Sequence, residues 1–187
     1  MAESSDLSII GSEKYDFLLS NHAIEHMANP IKCMKEWIRV LKDNGILVVI
    51  IPHKEGTFDR HRLVTKLSHL IDDHENDVGE EDRTHIAEII ELSDLRRDPD
   101  AGTRLDFEKR LEANYENRGA HHHVFDNQLV ADLIDHMGLQ CISLESYAHN
   151  NIIAIAKKIP LAEKPNNDVF MSIERRLLHR YRVSEMP

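Results

Sequence analysis

The feature that most narrows what this chain can fold into is the stretch from Tyr15 to Pro52, in which two short apolar runs flank one capped helical pattern. YDFLLS, Tyr15 to Ser20, is too short for a helix and suits a buried strand of a parallel sheet. Asn29-Pro30 then supplies an N-cap and a proline at the first helical position. Ile31, Met34, Ile38 and Leu41 recur at helical spacing, which predicts a helix from about Pro30 to Leu41. Lys42-Asp43-Asn44-Gly45 reads as a stop and turn, and ILVVII, Ile46 to Ile51, is a β-branched run closed by Pro52. Together these make one βαβ unit, with Tyr15 to Ser20 and Ile46 to Ile51 expected side by side and parallel.

From Lys54 to Gly119 the chain turns polar and charged, with helical patterns near Leu63 to Asp73, Arg83 to Leu92 and Phe107 to Asn117 and a turn-forming loop at Asp94 to Gly102. It reads as a helical insertion. A second α/β block follows. Asp126 caps a helix with an apolar face of Leu129, Val130, Leu133, Ile134 and Met137, and Gly138 ends it. Gln140 to Ser146 and Asn151 to Ala156 form a hairpin by spacing, across a turn at His149-Asn150. Beyond Pro160, Val169, Phe170, Ile173, Leu177, Leu178 and Tyr181 predict an amphipathic tail helix, packed on its own domain or on a second subunit. The expected domains are therefore 1–158, with the insertion at 54–119, and a tail at 159–187.

Composition limits the alternatives. A chain of 187 residues can bury one real core, and no apolar run approaches the ~20 residues that cross a bilayer. The start, MAESSDLSIIG, has no signal or transit pattern, so a cytoplasmic location is expected, with no membrane partner. Cys33 and Cys141 are far apart and read as packed thiols. Lys and Arg total 23 against 33 Asp and Glu, a net charge of −10 that repels phosphate backbones and argues against nucleic acid.

KYDFLLSNHAIEHMANPIKCMKEWIRVLKDNGILVVIIPHKEGTFD is similar to the later motifs of class I S-adenosylmethionine (AdoMet) dependent methyltransferases, and HHHVFDNQLVADLIDHMGLQCISLE resembles that family's last crossover helix and sixth strand. The resemblance implies a partial Rossmann-like α/β sheet, parallel strands followed by a carboxyl-terminal antiparallel hairpin, and AdoMet as cofactor. It implies O-methylation of a small polar acceptor as the activity. The family's glycine-rich turn after the first strand and the acidic residue after the second are absent. ESSDLS resembles the loop after the third strand, so Glu3 and Asp6, with Ser20 and Asn21 at the strand end, are the cofactor-binding candidates. A sheet lacking three strands would expose an unpaired edge and an uncovered apolar face. The inserted or tail helices could cover it, or a homodimer could pair edge with edge, and the dimer is the expectation. The rival reading is a non-catalytic methyltransferase-like module that binds a partner.

Thirteen histidines call for a search for metal or proton chemistry. Ligands of open α/β sheets bind beyond the carboxyl ends of the strands, which places His22, Glu25, His26 and His53 at the rim as the catalytic candidates. His22, Glu25 and His26 spell H-x-x-E-H, the inverted zinc-peptidase pattern, but that motif needs a continuous helix and here it begins at a strand end. Metal-assisted methyltransferases place E-x-x-E-H at this point with a further histidine downstream. By that resemblance His22, Glu25, His26 and His123, or its neighbour His122, would hold a divalent ion that polarises the acceptor hydroxyl. The alternatives are metal-free action as general base and hydrogen-bond donors, and a metal-dependent hydrolase. Trp37 reads as packing, and Lys54, Glu55, Arg60 and Arg62 as a solvated turn or a substrate clamp. His69, His74, His85, His136 and His179 read as surface or capping residues.

Overall fold

The computed structural model describes residues 3–147 and 150–171. The expected turn residue His149 and the tail-helix positions beyond 171 lie outside them. Four strands form one sheet: β1 (Tyr15–Asn21), β2 (Leu41–Pro52), β3 (Leu139–Tyr147) and β4 (Asn151–Lys158), in the order β1-β2-β4-β3. β1 and β2 are parallel, and β4 runs antiparallel between β2 and β3. This is the partial Rossmann-like sheet that the βαβ unit and the hairpin predict.

The connection between the two parallel strands is α1 (Pro30–Val40). Asn29 Oδ1 accepts from the Lys32 amide at 2.9 Å, and Pro30 opens the helix. Its apolar stripe, Ile31, Met34, Trp37 and Val40, is buried, so Trp37 is indeed a packing residue. Lys42 to Gly45, expected as a turn, is instead a bulge inside β2. Tyr15 pairs with Leu41 and Phe17 with Ile46, and Asn44 takes a left-handed φ of 65° to absorb the extra residues. Gly45 is required there, because a Cβ would lie 2.8 Å from the Lys42 carbonyl oxygen.

The insertion contains α2 (Leu67–Glu75), α3 (Ile86–Leu92), α4 (Arg104–Glu112) and α5 (Asn114–Asn117). The last two replace the single helix expected at Phe107 to Asn117, because Ala113 ends α4 and a new turn starts at Asn114. Ile86, Ile89, Phe107 and Leu111 give it a small core of its own. α6 (Asn127–His136) starts at Asp126, whose Oδ1 accepts from the Leu129 amide, and Gly138 follows its end at a φ of 68°. α7 (Asp168–Met171) closes the described chain. Among the described residues no helix is long and apolar enough to cross a membrane.

Among the described residues the sheet is covered on one face only. Residues of α1, α2 and α6 pack with Leu47, Val49, Ile51, Ile152, Ala154 and Ala156 in a single core. Strand alternation puts Phe17, Ile46 and Lys157, then Leu19, Val48 and Ile155, on the other face. There Tyr15, Phe17 and Leu19 are 46%, 69% and 59% exposed. β1 is also an edge strand, with no strand on its outer side among the described residues. If that face is open in solution, Leu47→Ala will cost about 2–5 kcal/mol in urea unfolding, whereas Phe17→Ala will stay within about 0.5 kcal/mol. Equal losses at both positions would show that something covers Phe17.

Candidate functional site

The carboxyl end of β1 delivers a tight cluster. His22 follows the strand at a left-handed φ of 46°, and Ile24–His26 form one 3-10 turn rather than the continuous α-helix that H-x-x-E-H zinc chemistry needs. Glu25 has no exposure, and neither of its carboxylate oxygens has a hydrogen-bond partner. His22 Nδ1 lies 3.9 Å and His26 Nε2 3.7 Å from Glu25 Oε1. Burial pushes the Glu25 carboxyl above its usual range. His26 donates from Nδ1 to the Ala120 carbonyl at 3.0 Å, which leaves Nε2 as a lone pair. Burial, helped by the nearby His121, pushes its pKa down to about 4.

Opposite this turn stands a second pair. His121 Nδ1 donates to Asp59 Oδ2 at 2.5 Å, so the ring's other nitrogen is its basic one. Its ring meets His26 edge-on at 4.7 Å and lies 4.4 Å from the Phe58 ring. Arg62, 1% exposed, donates to Asp59 Oδ1 at 2.7 Å and to the carbonyls of His121 and His122 at 2.8 and 3.2 Å. Burial alone would raise the Asp59 pKa, but His121 and Arg62 outweigh it and hold the carboxylate ionised. A buried, ionised Asp orienting an imidazole is the arrangement that makes histidine an effective proton acceptor. Glu25, His26 and His121 each present one ligand atom within 4.8 Å of the others, and the two unbonded Glu25 oxygens fit a divalent cation.

The structure thus brings His22, Glu25 and His26 together, with His121 in the place where His122 or His123 was expected. His123 turns away to a different group of residues. His53, at the end of β2, accepts at Nδ1 from the Glu55 amide at 3.2 Å and lies outside the Glu25 group. Arg62 is neither a solvated residue nor a substrate clamp, because its guanidinium is consumed inside the protein. Asp59 and Arg62 carried no sequence signal as a pair, since their partner lies about sixty residues away. Ser20 is buried at the end of β1 with its hydroxyl unbonded, and Asn21 is exposed. Glu3 and Asp6 face other partners: Glu3 lies 3.7 Å from Arg118, and Asp6 accepts from the Ser8 amide.

With the parallel β1-α1-β2 unit and its strand-end cluster in place, the comparisons are specific about one part of the chain. Residues 2–49 match the methyltransferase domain family. That stretch is similar to methyltransferase-domain sequence. No curated protein matches the chain. Among solved structures, a SAM-dependent methyltransferase from Thermotoga maritima is 16% identical at a TM-score of 0.45, over 84% of this chain and 62% of that one. SAM-dependent methyltransferases from Methanosarcina mazei give 12% identity and a TM-score of 0.41, over 84% of this chain and 65% of that one. The chain therefore spans less than two thirds of the length of either structure.

The resemblance calls for a glycine-rich turn after a strand to grip the cofactor. The described residues hold no such turn, and Glu3 and Asp6 are already engaged, so they do not by themselves fit a complete AdoMet site. What they do hold is a set of imidazoles kept neutral by burial: His26 and His122 fall from 6.5 to about 4, and His53, His85 and His123 are also lowered. A fall from 6.5 to about 4 corresponds to about 3 kcal/mol per ring. Because the unfolded chain then binds more protons, this stability is complete above pH 6.5 and is lost as the pH drops toward 4. Glu25, Asp73 and Glu80, raised by burial, act in the opposite sense as the pH rises through their folded values, but the imidazoles outnumber them. Urea unfolding at a series of pH values should therefore show a steep loss between pH 6.5 and 4. A flat profile across that window would mean that the histidines are not buried as described.

Proposed function

We propose that this chain is the carboxyl-terminal part of an AdoMet-dependent methyltransferase domain that methylates a hydroxyl oxygen on a small polar acceptor. The observation that carries this reading is the Asp59–His121 pair set against Glu25 and His26 beyond the strand end, where open α/β sheets bind ligands. An acceptor hydroxyl placed there would pass its proton to the basic nitrogen of His121. Asp59 stabilises the resulting imidazolium, and the oxygen is left nucleophilic. The helical insertion, which brings Phe58 and Asp59 against His121, serves as the lid that excludes water. A cation on Glu25, His26 and His121 would reach the same end by lowering the hydroxyl's pKa.

In this reading the cofactor half of the pocket comes from protein laid on the β1 edge and on the exposed Phe17 and Leu19. That same surface favours a second reading, a non-catalytic methyltransferase-like module that pairs with itself through it. Calorimetric titration with AdoMet separates the two. Heat for one site per chain, with methyl transfer to a polyol or sugar panel detected by mass, supports the enzyme. In that case His121→Gln should lower kcat/KM by about 10²–10⁴, and Asp59→Asn should act in the same direction. No heat with AdoMet, together with a sedimenting dimer that Phe17→Glu disperses, would establish the module and sink the enzyme.

A further inference from the structure

We propose that His69, Asp73, His85 and His123 form a zinc site that fastens the helical insertion to the core, distinct from the Glu25 cluster and independent of the function proposed above. Each of the four offers one ligand atom, and all four atoms lie within 4.8 Å of one another. They come from three separate stretches of chain. His69 and Asp73 are one turn apart on α2, His85 is the residue before α3, and His123 lies on the segment that leads into α6.

The spacings around His69 match those of a tetrahedral site. With metal–ligand bonds of about 2.0–2.2 Å, neighbouring ligand atoms on a tetrahedron stand roughly 3.3–3.5 Å apart. Here His69 Nε2 to His85 Nε2 is 3.2 Å and His69 Nε2 to Asp73 Oδ2 is 3.6 Å. His123 uses Nε2 on the Ala28 carbonyl, which leaves its unpartnered Nδ1 for the ion. The three rings surround a common point, with centroids 5.1, 5.4 and 5.8 Å apart. Three imidazoles and one carboxylate suit zinc, whereas magnesium and calcium would call for more oxygen donors.

Without a cation the cluster is poorly satisfied. Asp73 Oδ2 is buried with no hydrogen-bond partner although it faces two imidazoles, and one ring nitrogen of the fully buried His123 is also unpartnered. A buried polar atom left unpaired is destabilising, and one cation answers several of these at once. Outer partners are present as well: His123 Nε2 lies 3.2 Å from the Ala28 carbonyl, and His85 Nδ1 faces Glu88 at 4.0 Å. A surface groove of about 290 Å³, lined by Thr65, Lys66, His69, His85 and Glu88, gives an ion its way in.

The test is calorimetric titration of the chelator-stripped full chain with zinc chloride, followed by thermal unfolding. One zinc per chain, a raised unfolding midpoint and a tetrahedral cobalt spectrum on substitution are expected. His69→Ala and His85→Ala should weaken zinc binding by at least roughly a hundredfold, the upper end of what an outer partner alone contributes, while His26→Ala should leave it intact. The His69 side chain is 42% exposed, so His69→Ala should keep the fold, which circular dichroism checks. A second zinc lost only in His26→Ala would belong to the Glu25 group and leave this site standing. No uptake, or uptake unaffected by both His69→Ala and His85→Ala, would overturn it.

Discussion

The buried guanidinium of Arg62 is the interaction on which the site's geometry depends. A charge taken out of water is tolerable only when it is paired and its donors are largely used, and Arg62 meets that demand through its two terminal nitrogens, which hold the Asp59 carboxylate together with two backbone carbonyls, while its buried Nε stays unpartnered. Those carbonyls belong to His121 and His122, so the same contacts that neutralise the charge fix the extended segment in front of α6. Asp59 is then left with one oxygen for His121. The link runs from a charge that must be compensated, to a backbone that cannot move, to an imidazole with its proton on a defined nitrogen. A Lys at this position could supply the charge but not the forked set of donors.

The second constraint is the asymmetry of the sheet. β2 and β4 are lined on one face by Leu47, Val49, Ile51, Ile152, Ala154 and Ala156 under three helices, and on the other by Ile46, Val48, Ile153 and Ile155 without a helical layer among the described residues. A sheet that bears parallel strands is normally covered on both faces, because each crossover helix lies against one of them. Here the single parallel crossover, α1, accounts for one side, and the apolar character of the other side is concentrated on β1. β3 presents Ser143, Glu145 and Tyr147 in register with the open face, so the apolar area fades toward that margin. The surface in need of cover is therefore the β1 side, adjoining the strand end that carries His22 and Glu25.

The parallel pairing of β1 and β2 was legible because it rests on local signals: two apolar runs, an N-cap with proline, and a helical stripe between them. The α6 cap and the antiparallel strands were legible for the same reason. The bulge at Lys42 to Gly45 was not, since a turn and a bulge ask for the same residues and only the strand register separates them. In the site, the H-x-x-E-H segment marked Glu25 and His26 by position at a strand end. Its partner was mistaken within the histidine triplet, because three adjacent imidazoles look identical in sequence and differ only in where an irregular backbone points them. Arg62 looked like a surface residue, since a lone arginine in a charged stretch gives no hint of burial. His69 and His85 seemed to lack a role for the opposite reason: each is unremarkable alone, and only the packing of α2 beside α3 brings them within 3.2 Å.

The triplet itself ties these strands of argument together. His121 turns to Asp59 and the ring of His26, His122 to Asn114 and Asp82, and His123 to α2 and the Ala28 carbonyl. Three consecutive side chains thereby reach the strand-end pocket, the small core of the insertion and the seam between α2 and the sheet. A segment loaded in this way cannot shift at one residue without disturbing the other two. The position of the His121 ring is consequently set by interactions outside the strand-end cluster, including the two carbonyls clamped by Arg62 and the histidine cluster at the seam. An insertion held that firmly at its base would move at its outer helices, α4 and α5, and keep Phe58, Asp59 and His121 fixed.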